Sequence, residues 1–198
     1  QQGKRNMENT SIERHAWIEL ACQCMRPVFT KAGYTLSDNI RASIGFTQGG
    51  GGRRKAIGQM WSPKVVTDGV PEMFISPEIN DGRIIIGVIG HEFCHDAVGV
   101  ECGHKGPFRK CALAIGLTGK MTATTNGPAM EAFAADFIER HGPYPAGRID
   151  YSARKKQTTR MIKCECRDCG YIARTSRKFI AQAGAPLCPC NGKVMASE

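Results

Sequence analysis

The chain has 198 residues, 41% of them hydrophobic and 23% charged, and a formal net charge of +9. That is the profile of a folded, soluble protein with one main core and room for a small second module. The longest apolar run, Ile84 to Gly90, is far short of the roughly 20 residues a membrane helix needs, and the polar N-terminus has no apolar signal region, so a cytoplasmic protein with no membrane partner is expected.

Elements are predicted in chain order from hydrophobic periodicity. Thr10 and Glu13 form a capping-box start, and Trp17, Leu20, Ala21, Cys24 and Val28 recur at helical spacing, which predicts a first helix bent or ended near Pro27. Ala42, Ile44 and Phe46 alternate as in a strand, QGGGGRRK reads as a loose turn, and IGQMWS resumes as a strand, so a β-hairpin is expected there. A third short strand, Met73 to Ser76, is closed by Pro77. Ile84 to Val98 is apolar almost throughout and predicts a buried helix stopped by Gly99. A further helix runs from Pro107 to Gly116, and a last one from Pro128 to His141 is closed by Gly142. After Tyr151 the polar, basic SARKKQTT reads as a linker. The predicted organisation is an α+β domain over residues 7–150, a linker over 151–160 and a cysteine-rich module over 161–198.

Ten cysteines do not make a disulfide scaffold here, because five of them (Cys164, Cys166, Cys169, Cys188 and Cys190) cluster at the C-terminus and the rest are scattered through apolar stretches. Charge divides in the same way. Residues 151–198 hold ten Lys/Arg against three Asp/Glu, a formal +7, and residues 1–150 only +2. A basic module on a nearly neutral body predicts a polyanion partner, DNA above all.

The chemistry begins at His91-Glu92-Phe93-Cys94-His95, an HExxH sequence inside the buried helix. Residues i and i+4 share a helical face, so both imidazoles reach one metal ion, and Glu92 can hold the water bound to it. A metal with three protein ligands and an open position brings its water to a pKa of about 7, and a neighbouring carboxylate then acts as general base and acid. An apolar helix is a costly place for these groups without a partner. His104 is the preferred third ligand, since Gly99 ends the helix and the Gly103 to Pro107 turn can return an imidazole to the metal; Glu101 and Glu131 are the alternatives. Cys94 reads as a small buried hydrophobe.

With these motifs in view, the chain resembles the SprT-like (Spartan-type) metallopeptidases, especially phage and prophage versions. The resemblance rests on HEFCH, on GHKGPFRKCALAIGLTGKMTAT after it and on IGQMWSP and MFISPEI before it, and spans about Ile40 to Met195. It implies a small zincin-like α+β domain, zinc held by His91, His95 and His104, with Phe108 following the third histidine, Glu92 as the catalytic acid, and cleavage of DNA-associated proteins. If the zincin geometry holds, a substrate strand adds to an exposed sheet edge above the metal. Met73 to Ser76 is the expected edge, with Trp61 and Phe74 as pocket walls or core.

In the tail, Cys166-Arg167-Asp168-Cys169-Gly170 is a CxxCG knuckle and Cys188-Pro189-Cys190-Asn191-Gly192 a second one. Two knuckles converge four thiolates on one ion and leave no open position, which predicts a structural zinc ribbon. Cys164 could stand in for Cys166. The resemblance also includes a C-terminal ribbon of this form. Arg174, Arg177 and Lys178 alternate with Tyr171 and Phe179, and together with Lys155 and Lys156 of the linker they are the expected nucleic-acid contacts, with phosphate binding and base stacking; the competing expectation makes the two aromatics a miniature core. The expected cofactors are two zinc ions (Zn2+), one catalytic and one structural. The functional expectation is a zinc metallopeptidase; its rivals are a nucleic-acid-binding regulator with a non-catalytic HExxH site and a peptidase specific for one protein such as a repressor.

Overall fold

The computed structural model describes residues 10–48, 56–150 and 161–197, and within them five helices and three small sheets make an α+β fold. The chain divides into two units, residues 1–151 and 152–198. No helix among the described residues is long and apolar enough to cross a membrane.

Helix α1 runs from Thr10 to Lys31 and buries Trp17, Ile18, Ala21, Met25 and Phe29 at helical spacing. The predicted stripe shares Trp17 and Ala21 with this one, while Leu20, Cys24 and Val28 flank it, partly buried. The predicted capping-box side chains lie outside the described residues. The helix does not end near Pro27 but passes through it. Proline there removes one backbone donor, and the full burial of Met25 and Phe29 on either side of it holds the helix against the core.

Strands β1 (Arg41–Ile44), β2 (Gly58–Trp61) and β3 (Glu72–Ile75) form one sheet in the order β1-β3-β2. The expected hairpin is therefore corrected: β1 and β2 do not pair with each other. Both pair with β3, β1 in parallel and β2 antiparallel. Met73 and Ile75 are buried, so β3 takes the centre, where both of its edges are used. Phe46 lies beyond β1 and is exposed, and the glycine-rich turn lies outside the described residues.

Helix α2 (Gly82–Val98) is the axis of the first unit. Asp81 caps it by accepting from the amides of Arg83 (2.8 Å) and Ile84 (3.4 Å), and Gly99, at φ +86°, ends it. Ile85, Ile86, Ile89 and Phe93 are fully buried. A single 3-10 turn (Val100–Cys102) leads to α3 (Gly106–Ala114). Next comes an unexpected hairpin, β4 (Leu117–Lys120) with β5 (Ala123–Asn126), and then α4 (Pro128–His141).

In the second unit β6 (Ile162–Glu165), β7 (Ile172–Thr175) and β8 (Ala196–Ser197) form a sheet in the order β7-β6-β8, with α5 (Arg177–Ala183) between β7 and β8. Its buried cluster is Cys164, Cys166, Cys188 and Met195.

Candidate functional site

One face of α2 carries His91, Glu92 and His95 towards a cleft of about 820 Å³. Its walls are β2 with the residues before it, the β4–β5 hairpin and the turn that holds His104. Positive φ at Gly99 (+86°) and Gly103 (+53°) lets the chain reverse twice within five residues and bring His104 back over α2. Nε2 of His104 then lies 3.1 Å from Nε2 of His91 and 3.2 Å from Nε2 of His95. Ligands 2.0–2.1 Å from a tetrahedral ion stand about 3.3 Å apart, so the triad has the spacing of a three-histidine metal site. A single proton could bridge only one of these contacts, and burial disfavours protonation. His91 is lowered to about 3 by burial and by His95 and His104, His95 to about 4 by burial and His104, and His104 is lowered by burial. Neutral imidazoles facing one point fit a divalent cation, and zinc is compatible with the set.

Two supports set the imidazole orientations. Phe108, fully buried in the first turn of α3, has its ring centroid 4.8, 4.5 and 4.9 Å from those of His91, His95 and His104. Thr124 of β5 has Oγ1 2.9 Å from Nδ1 of His91. With Nε2 of His91 turned to a metal, its Nδ1–H donates to Thr124. Nδ1 of His95 is buried with no partner among the described residues.

Glu92 is 5% exposed and accepts a hydrogen bond from the backbone amide of Met60. Burial pushes its carboxyl up to about 8. A neutral carboxyl in an apolar cleft becomes a carboxylate when a cation sits beside it, which gives one group both protonation states needed for proton transfer. Gly58 makes this approach possible, since a side chain at that position would collide with the Glu92 carboxyl and with Val88.

The alternative third ligands are engaged elsewhere. Glu101 faces Lys64 at 3.4 Å, and Glu131 pairs with Arg83 and accepts from Asn126 at 3.2 Å. Cys94 is buried, and its hydrogen bond with Cys111, followed by burial, holds the thiol protonated. Two other expectations are corrected. Met73 to Ser76 is the central strand region and not the edge beside the metal site; the strand lining the cleft is β2, which has β3 on one side only. Trp61 and Phe74 are both half-buried and line no part of the cleft. The residues missed by sequence reasoning are Thr124, Gly58, Asn126 and the amide of Met60. Only a threonine-rich run after α3 hinted at the first.

In the second unit Cys166, Cys169, Cys188 and Cys190 bring their sulfurs within 4.8 Å of one another, with Cys166–Cys190 at 4.0 Å, Cys169–Cys188 at 3.5 Å and Cys188–Cys190 at 3.3 Å. Zinc–sulfur bonds of 2.3 Å in a tetrahedron place sulfurs about 3.8 Å apart, so this group too is compatible with zinc. The amides of Cys169 and Asp168 turn to Cys166 and lower its thiol to about 7. Asn191 Nδ2 reaches Cys166 Sγ at 3.9 Å and Asp168 at 2.6 Å, while Lys193 holds Asp168 at 2.9 Å. Cys164 is buried in β6 and stands outside the group.

Arg174, Arg177 and Lys178 are exposed, and Lys155 and Lys156 lie outside the described residues. Tyr171 is 50% and Phe179 59% exposed, which corrects the expectation of a miniature aromatic core. The core of this unit is made by Cys164, Cys166, Cys188 and Met195 instead, with Cys169 and Cys190 of the four-cysteine group exposed. Comparison of the chain with protein-family models, with curated proteins and with solved structures finds no match.

Proposed function

We propose that the first unit is a zincin-like zinc metallopeptidase domain of the SprT-like kind and that the second is a zinc ribbon that holds it on DNA, so that DNA-associated proteins are its substrates. The observation that carries this reading is the meeting of the three-histidine group with a buried Glu92 in one cleft bordered by the edge strand β2. A purely structural metal site has no use for a desolvated carboxyl beside its ligands.

His91, His95 and His104 would hold a zinc ion, which would supply a Lewis acid for the scissile carbonyl and lower the pKa of the attacking water. Glu92 takes the proton of that water as its oxygen bonds to the carbonyl carbon, and then delivers the proton to the amide nitrogen as the C–N bond breaks. The outer edge of β2, where the Met60 amide already holds the Glu92 carboxyl in place, offers its remaining outward backbone groups to an extended substrate. Phe108 and Thr124 keep the imidazoles oriented.

The test is hydrolysis of DNA-bound and free protein substrates by the zinc-loaded full chain. Glu92→Gln is expected to retain its metal and lose about 10²- to 10⁴-fold in rate. Wild-type rates in Glu92→Gln, or no hydrolysis by the wild type on any substrate with zinc bound, would reject the reading.

A further inference from the structure

The near neutrality of the first unit hides a local imbalance. Residues 102–130 contain Lys105, Arg109, Lys110 and Lys120 and no aspartate or glutamate, a formal +4, while the rest of residues 1–150 holds thirteen Lys/Arg against fifteen Asp/Glu, a formal −2. The acids that bound this stretch are engaged, Glu101 with Lys64 and Glu131 with Arg83. All four cations are exposed, and none has a carboxylate partner among the described residues.

Two elements gather them. Helix α3 buries Phe108, Cys111 and Ala112, so Arg109 and Lys110 lie on its outward side, one turn beyond Lys105 at its start. Lys105 gives the helix no side-chain cap and the first turn carries no acid, which leaves the positive end of the helix dipole uncompensated. Lys120 joins from β4. Its register partner is Ala123, the neighbour of Thr124, whose hydroxyl meets His91, and Lys105 directly follows His104. Cations from α3 and from the hairpin thus stand beside the three-histidine group.

Unpaired charge of one sign on a folded surface attracts a polyanion. Residues 102–130 hold one phenylalanine, tyrosine or tryptophan, Phe108, and it is fully buried against the histidines. This face therefore offers no ring to unpaired bases, unlike the exposed Tyr171 and Phe179 of the second unit. Cations with the exposed hydroxyls of Thr122 and Thr125 beside them suit the phosphates of paired strands. We propose that the outward side of α3 and the tip of the β4–β5 hairpin bind the phosphate backbone of duplex DNA, without sequence readout, at the rim of the metal cleft. The use of this face in presenting DNA-bound proteins for cleavage rests on the peptidase reading, whereas the binding itself is measurable without turnover.

The test is the affinity of the zinc-loaded full chain for a duplex of about 20 base pairs, measured by fluorescence anisotropy across a salt series. Arg109→Ala/Lys110→Ala/Lys120→Ala is expected to weaken binding at least about 10-fold and to flatten the log–log salt slope by about 3. Zinc content and thermal unfolding are expected to match the wild type, and Arg109→Lys/Lys110→Arg/Lys120→Arg is expected to keep wild-type affinity. Arg174→Ala/Arg177→Ala/Lys178→Ala is measured beside them. Wild-type affinity and slope in the α3 alanine variant would overturn the proposal, and a loss confined to the second-unit variant would do so while leaving the ribbon reading standing. A loss confined to the α3 variant would support this face and refute the ribbon as the anchor. No salt-dependent duplex binding by the wild type would overturn both. A hexaglutamate peptide held by the wild type and released by the α3 variant, with duplex affinity unchanged, would assign the face to an acidic protein and overturn the proposal too.

Discussion

Thr124 is the residue whose contribution can be isolated most cleanly. Its hydroxyl, 2.9 Å from Nδ1 of His91, selects the tautomer that leaves Nε2 free for a metal. Thr124→Val keeps the shape and removes the acceptor, so zinc affinity is expected to fall by about 10- to 100-fold in chelator competition, and Thr124→Ser is expected to restore it. The protons of the site make a second test possible. Glu92 keeps its proton in the folded, metal-free chain up to about pH 8, against the ordinary carboxyl value of 4.5, so the stability it contributes is present below 4.5 and lost as pH rises to 8. His91 and His95 act in the opposite sense, because their lowered values make the metal-free fold lose stability as pH falls from 6.5 towards 4 and 3. In metal-free protein, Glu92→Gln is therefore expected to be near-neutral at pH 5 and stabilising at pH 8.5. The gain grows by about 1.4 kcal/mol for each tenfold fall in proton concentration across the window. Urea unfolding at the two pH values checks this, and equal differences at both would contradict it.

The closeness of β2 and α2 is decided by one missing side chain. Gly58→Ala must either move the strand off the helix or push Glu92 from the Met60 amide, since the added carbon meets Glu92 and Val88. A loss of about 1–3 kcal/mol in chemical denaturation is expected, with zinc stoichiometry retained, because the atoms nearest the added carbon belong to Glu92 and Val88 and not to a histidine. Among the elements, α2 and α4 were legible because their apolar periodicity and their terminal glycines and prolines are local signals. The β1–β3–β2 order was not. Pairing partners are chosen by competing non-local burial, and β3 won the centre through Met73 and Ile75. The β4–β5 hairpin escaped because its four-residue strands, LTGK and ATTN, are largely polar and half exposed, with no apolar alternation to read.

Across the molecule the two units differ in what can hold them together. The first has an extended apolar core, whereas the buried cluster of the second consists of three cysteines and Met195. So small a core does not sustain a fold unaided, and metal binding is expected to supply its folding energy. Chelation is expected to abolish NMR signal dispersion for residues 161–197 while the signals of α1 and α4 persist. Charge pairing in this unit points the same way as its composition. The described acids, Glu165 and Asp168, are taken by Lys163 and Lys193, and Arg167, Arg174, Arg177 and Lys178 have no carboxylate among the described residues. If those four cations contact phosphates, the affinity of the zinc-loaded chain for single-stranded DNA falls with salt at a log–log slope of about −3, and binding is lost on chelation. A flat salt dependence would point to a protein partner for this surface.

What the sequence alone determined are features written within a few residues: two imidazoles one helical turn apart, a carboxyl beside them, two cysteine knuckles, and the division of charge between the units. Each follows from helix period or turn geometry, which needs no information from elsewhere in the chain. Tertiary structure decided everything that depends on distant segments meeting. Thr124 reaches His91 from 33 positions away, the edge beside Glu92 belongs to β2 and not β3, and Tyr171 and Phe179 are exposed while Cys164, Cys166, Cys188 and Met195 fill the inside. Those outcomes are settled by which apolar faces find room to bury together, a competition over the whole chain that no local pattern records.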